Sequence, residues 1–226
     1  LIVGAGAGND AAAAIRNGAT QVDAVEIDPV IARLGRLHHP EKPYHDRRVN
    51  LIVDDARSFF KKTDKQYDMI VFGLLDSHTL TSNFTNINLD SYVYTKESFE
   101  EVRSHLADEG IVALSFQLSR YWLGLKIYSL IEDVFGERPL ILRAWGKNLT
   151  HGTGGTLFLF GHPEVIRHRI DSDPELQKRV AEIQVPPKSY ENLRRSTPFD
   201  VPEDDWPYLY LQKRQIPNLH LIMIVV

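Results

Sequence analysis

Cysteine is absent from all 226 residues. That excludes disulfides, thiolate zinc sites and a cysteine nucleophile, and it leaves the compartment open, because a chain without thiols suits reducing and oxidising surroundings alike. No Lys/Arg-rich block or basic-aromatic stripe occurs, and the formal net charge is -4, which argues against binding a nucleic-acid backbone. No internal repeat or low-complexity tract is present, and no set of His, Asp and Glu has the spacing of a metal site, so none is expected. No initiator methionine or signal peptide opens the chain, which begins inside an apolar run and is expected to be a piece of a longer protein. Its last residues, Leu219-His-Leu-Ile-Met-Ile-Val-Val226, fall far short of the roughly 20 apolar residues that span a bilayer. They are expected to form either a last strand or the start of a membrane helix.

What the chain does have is concentrated at its start. Leu1-Ile-Val runs into Gly4, Gly6 and Gly8 and then into the alanine-rich stretch 11–15. An apolar run that stops on alternate glycines and continues as helix reads as a buried strand turning sharply, with a backbone on which a ligand can lie closely. Asn9 or Asp10 is expected to cap a helix over 11–16, stopped by Asn17-Gly18.

The next segments alternate. Strands are expected at 21–27, 49–53, 69–72 and 111–116; helices at 29–38, through Phe59-Phe60, at 95–106 and at 121–135. Residues 73–92 are long, polar and without pattern, which favours a functional loop or lid. Runs at 140–145 and 156–160, separated by a glycine-rich stretch, read as an antiparallel hairpin. The expected fold is α/β: a Rossmann-like, doubly wound, mostly parallel seven-stranded sheet with a C-terminal antiparallel hairpin. Residues 1–162 would form the ligand-binding domain. Residues 163–215 would be a helical, proline-rich appendage without its own core, with helices at 163–169 and 174–183 followed by a proline-punctuated polar segment. Residues 216–226 would be a hydrophobic tail.

In doubly wound sheets ligands sit at the carboxyl ends of strands, where the winding reverses. The glycine turn, Glu26 with Asp28, and Asp54 with Asp55 all fall at such ends. A carboxylate roughly 20 residues past the glycines is placed to accept from ribose hydroxyls, and Glu26 stands there. The glycines follow Gly-x-Gly-x-Gly rather than the dinucleotide spacing, and no Walker lysine follows, so a phosphate-free adenosyl ligand fits better than NAD or ATP. Asp55 would accept from the adenine amino group, with backbone amides near Ala56 and Arg57 at the ring edge. One of Asp54 and Asp55 is also expected to cap the next helix.

Taken in order, Gly4-Ala-Gly-Ala-Gly8, Val25-Glu-Ile-Asp28, Val53-Asp-Asp-Ala-Arg57, Tyr67-Asp-Met-Ile70, Tyr94-Thr-Lys-Glu-Ser-Phe99 and Phe116-Gln117 resemble the spermidine/spermine synthase family. Those proteins are aminopropyltransferases on the class I S-adenosylmethionine-dependent methyltransferase fold. The resemblance covers about residues 1–161. It implies a donor, S-adenosylmethionine or its decarboxylated form, with Glu26 on ribose, Asp55 on adenine and the glycine turn under the methionine-derived chain; it also implies an amine acceptor and a homodimer. Two family acids are missing: the first acid of the Asp-x-x-Asp stretch is Gly73 in Gly73-Leu-Leu-Asp76, and an acid inside the glycine turn is Ala7.

A primary amine is protonated at neutral pH, so attack needs a carboxylate to hold the cation and receive its proton. Asp76 remains for this, and His78 is a candidate substitute base. Tyr94 and Gln117 would surround the acceptor, with His151 as a lid residue. Asp204-Asp-Trp-Pro-Tyr-Leu-Tyr-Leu211 is expected to pack the appendage onto the core. It resembles the region before the membrane helices of bacterial proteins that carry a spermidine-synthase-like domain, which would place this domain in the cytoplasm. The expected chemistry is in-line transfer of an aminopropyl group. Rival readings are a methyltransferase and a non-catalytic adenosyl-binding sensor or docking domain.

Overall fold

A computed structural model describes residues 1–75, 89–118, 120–143 and 155–215. Seven strands form one sheet in the order β3-β2-β1-β4-β5-β7-β6. They are β1 (Ile2–Val3), β2 (Val22–Glu26), β3 (Val49–Val53), β4 (Tyr67–Phe72), β5 (Leu106–Phe116), β6 (Leu140–Arg143) and β7 (Thr156–Gly161). The first five pair in parallel, whereas β7 runs antiparallel to both β5 and β6. The winding reverses between β1 and β4, and the register sets Val3 beside both Val25 and Phe72. Gly4, Glu26 and Gly73 therefore leave the sheet at one level, at the switch point where doubly wound folds bind ligands.

Among the described residues there are eight α-helices: α1 (Asn9–Arg16), α2 (Pro29–His38), α3 (Ala56–Lys62), α4 (Lys96–Ser104), α5 (Tyr121–Phe135), α6 (Pro163–Asp171), α7 (Pro174–Ile183) and α8 (Pro187–Ser196). The larger core lies on one face of the sheet. There Phe99 stacks between Phe72 and Phe160 at centroid distances of 6.3 and 6.0 Å, and Phe135 meets Phe160 edge-on at 4.8 Å. A smaller core on the opposite face joins Ile2, Ala5, Ala11, Val22, Ala24 and Tyr44. The expected seven-stranded Rossmann-like architecture is the one observed.

Local details differ from expectation. Neither Asn9 nor Asp10 caps α1; Gly8 is its N-cap, without a side-chain hydrogen bond, and Asp10 lies in the first turn. Helix α4 ends at Ser104, and the chain enters β5 directly at Leu106. Residues 108–110, which fall between the expected helix at 95–106 and the expected strand at 111–116, are accommodated in the strand as an irregularity between the Tyr67–Leu106 and Met69–Ile111 pairs. The polar segment after Pro186 holds an additional helix, α8, because its prolines fall at the first positions, where no backbone donor is needed.

The C-terminal stretch is tied to the core. Leu209 is fully buried, Tyr210 packs against Phe116, and Tyr190 of α8 stacks on Tyr128 at 5.5 Å. Asp204 receives hydrogen bonds from Arg57 (2.7 Å) and from the Thr95 hydroxyl (2.6 Å), while its own amide donates to Glu97. Among the described residues no helix is long and apolar enough to cross a membrane; the tail at 216–226 lies outside them.

Candidate functional site

The turn after β1 is built on backbone conformations that side chains resist. Gly4, Gly6 and Gly8 have φ of 70°, 55° and 103°. Gly8 is doubly constrained, since an added Cβ would also stand 2.8 Å from Pro43 Cγ. Helix α2 presses on the same turn through Gly35, where a Cβ would come within 2.4 Å of the Ala7 carbonyl oxygen.

Glu26 locks the turn from the end of β2. Its carboxylate is nearly buried, at 6% exposure, and accepts from Gly6 N–H at 2.7 Å through Oε2 and from Asp28 N–H at 2.9 Å through Oε1. Each oxygen retains a lone pair after those bonds. A second clamp, which sequence spacing did not reveal, comes from the short 3-10 helix at Pro43–His45. The buried Tyr44 hydroxyl lies 3.0 Å from the Ala5 carbonyl and 2.8 Å from that of Gly6. Burial, with Glu26 and Asp10 nearby, holds the Tyr44 phenol protonated well above its ordinary range.

The other carboxylates on this side are also engaged. Asp28 Oδ1 caps α2 by accepting from Val30 N–H at 2.7 Å. Asp55 Oδ1 caps α3 by accepting from Ser58 N–H at 3.0 Å, and among the described residues nothing donates to its Oδ2. Asp54 accepts from Asp55 N–H and from the Lys62 ammonium at 2.7 Å, which holds its carboxyl below the usual range. Ala56 opens α3. Two exposed apolar side chains stand next to these acids, Ile27 (46%) and Val53 (52%). In the sequence Ile27 directly follows Glu26 and Val53 directly precedes Asp54.

A cleft of about 500 Å³ opens on the other side of the turn. Gly4–Ala7 and Asn9–Asp10 form one wall, Gly73, Leu74 and Ser115 another, and Leu142, Thr156, Leu157 and Ile183 the far side. The cleft wall does not include Glu26 or Asp55, so the expected nucleoside residues and the cleft lie on opposite flanks of the glycine turn. Gln117 directly follows β5. Tyr94 is fully buried, with its ring edge-on to Phe116 at 5.3 Å. Asp76, His78 and His151 lie outside the described residues.

Among the described residues no cluster of three or more His, Asp or Glu is disposed to hold a metal ion. Sheet order, glycine turn and strand-end acids define the class: an α/β protein of the Rossmann-like methyltransferase fold. Human methyltransferase-like protein 13, solved with SAH, superposes with a TM-score of 0.57 at 17% identity over 80% of each chain. Spermidine synthase from Thermotoga maritima gives 0.64 at 16% identity, covering 86% of this chain and 66% of that one. The spermine/spermidine synthase domain matches residues 1–136, and the chain belongs to that family. A polyamine aminopropyltransferase of Korarchaeum cryptofilum is 24% identical over 209 residues, which are 90% of this chain and 58% of that relative's length.

Proposed function

We propose that the chain binds an adenosyl sulfonium donor, S-adenosylmethionine or its decarboxylated form, and transfers an aminopropyl group to an amine. The observation that carries this is the Glu26 carboxylate, fixed by Gly6 and Asp28 amides at the mouth of the glycine turn. Its remaining lone pairs suit two vicinal ribose hydroxyls, and the absence of any phosphate-binding lysine suits a nucleoside without phosphates. Asp55 Oδ2 would take the adenine amino group, and Ile27 would lie against the ring. Family membership supports transfer to an amine.

In the reaction the amine nitrogen attacks the carbon bonded to the sulfonium. The C–N bond forms as the C–S bond breaks, its electron pair stays on sulfur as neutral methylthioadenosine, and one proton leaves the nitrogen. Sulfur is already a good leaving group, so positioning of the two reactants supplies most of the acceleration. The chain's contribution is a turn fixed by Glu26 and Tyr44 under the donor and a largely apolar cleft beside it. Mass spectrometry after incubation with the decarboxylated donor and a panel of aliphatic amines tests this reading. The expected result is a product 57 mass units heavier than its amine, roughly the mass of one transferred C3H7N unit. A product 14 units heavier, formed from S-adenosylmethionine, would instead establish methyl transfer.

A further inference from the structure

Among the described residues that line the cleft, Asp10 is the only one with an ionisable side chain. Among the described residues its carboxylate has no hydrogen bond or ion pair, in contrast to every acid at the ends of β2 and β3. It occupies the first turn of α1 and reaches across to β4: a Cβ on Gly73 would stand 3.2 Å from Asp10 Oδ2 and 2.9 Å from the Gly4 carbonyl oxygen. The missing side chain at position 73 is therefore what leaves room for this carboxylate. Burial raises its pKa, and none of the described residues supplies a counterion.

The rest of the wall tells what the counterion carries. Leu74, Leu142, Leu157 and Ile183 make it largely apolar. Thr156, only 2% exposed, brings a buried hydroxyl that has no hydrogen-bond partner among the described residues. Among the described lining residues, one acid without a base, an unused hydroxyl and aliphatic walls suit an aliphatic arm that ends in a cation. A ligand carboxylate at the same place would meet Asp10 as a like charge.

We infer that Asp10 pairs with a primary alkylammonium group in this cleft and thereby selects a donor whose arm lacks a carboxylate. The ammonium has two sources of the same chemistry, the aminopropyl arm of the decarboxylated donor or a free aliphatic diamine. This inference rests on the donor reading above.

Calorimetry on the wild-type chain and Asp10→Asn separates the possibilities. Methylthioadenosine, which has no arm ammonium, should bind both proteins within about twofold. The decarboxylated donor should bind Asp10→Asn about 10- to 100-fold more weakly, the span expected for losing one charge-assisted contact. Its preference over S-adenosylmethionine should shrink accordingly. If the free diamine is the source instead, putrescine titrated into the methylthioadenosine complex shows the loss and the donor does not. Asp10→Glu should recover part of whichever affinity fell, and matched melting curves keep a folding defect from passing as a binding one. Equal affinities of wild type and Asp10→Asn for both the donor and putrescine overturn the inference. If the wild-type chain binds none of the nucleosides, the donor reading fails, and putrescine binding to the free chain then judges Asp10 alone: a loss in Asp10→Asn sustains it and equal or absent binding overturns it.

Discussion

On the β2–β3 flank of the glycine turn, Glu26, Asp28, Asp54 and Asp55 each accept at least one backbone amide, so their positions are set before any ligand arrives. On the β4–β5 flank the cleft holds Asp10, which no described residue contacts by hydrogen bond or ion pair, beside the bare backbone of Gly73. Both flanks are acidic, but only the first is internally satisfied. A carboxylate held by amides is a fixed acceptor for neutral hydroxyl and amino donors, with little reorganisation left to make. One left unpaired in a half-buried wall is stabilised by a cation. On the proposed reading, the first flank takes the nucleoside and the second an ammonium-bearing arm.

The sharpest way to break this division is at Glu26. Glu26→Ala removes the acceptor for two backbone donors as well as the proposed ribose contact, and nucleoside affinity is expected to fall by at least about 100-fold, the equivalent of about 3 kcal/mol. Titration with methylthioadenosine checks it, and a drop confined to threefold would detach Glu26 from the ligand. Next in size is Gly35→Ala, where the new methyl meets the backbone of Ala7. Displacement of α2 should cost about 1–3 kcal/mol of stability, read as a lower denaturation midpoint in urea.

Tyr44→Phe probes the clamp from the smaller core. It deletes a hydroxyl that contacts the Ala5 and Gly6 carbonyls, and a loss of about 1 kcal/mol in stability is expected. A loosened turn should also weaken nucleoside binding by about fivefold, on the order of the same energy. If binding is untouched while stability falls, the clamp serves the fold alone.

The last effect is visible only through pH and concerns Lys126 of α5, which is 1% exposed and donates to the Tyr208 and Leu211 carbonyls beside the Trp122 ring. Burial pushes its ammonium down from 10.5 to about 8. Below pH 8 both folded and unfolded chains carry the proton, and the folded state bears the full cost of the buried charge. Between pH 8 and 10.5 the folded chain releases it while the unfolded chain keeps it, so the contribution of Lys126 to stability rises with pH. Relative to Lys126→Met, the wild-type melting temperature should therefore gain as pH rises through that window. A constant gap between the two melting curves would show that the ammonium is not titrating there.

Much of this was legible in the sequence. Apolar periodicity gave the strand and helix alternation, the alternate glycines marked the first turn, and spacing placed Glu26, Asp28 and Asp55 at strand ends. Those features are local, because each is written in residues a few positions apart that share one strand or one helical turn. Even so, spacing could not divide the acids' duties, and it took Asp10 as a candidate helix cap when Gly8 holds that place. Nor did composition reveal α8, in which prolines that read as breakers stand at the helix start.

What only the tertiary structure decided are the meetings of distant segments. Tyr44 reaches back 38 and 39 residues to the glycine turn, Asp204 joins Arg57 across 147, and Asp10 faces Gly73 because β1 and β4 are neighbours although β2 and β3 separate them in the chain. Periodicity reports which face of an element is buried, not which element will cover it. By itself the sequence determined a glycine turn flanked by acids; the order of the strands decided which acid is held by the backbone and which is left facing the cleft.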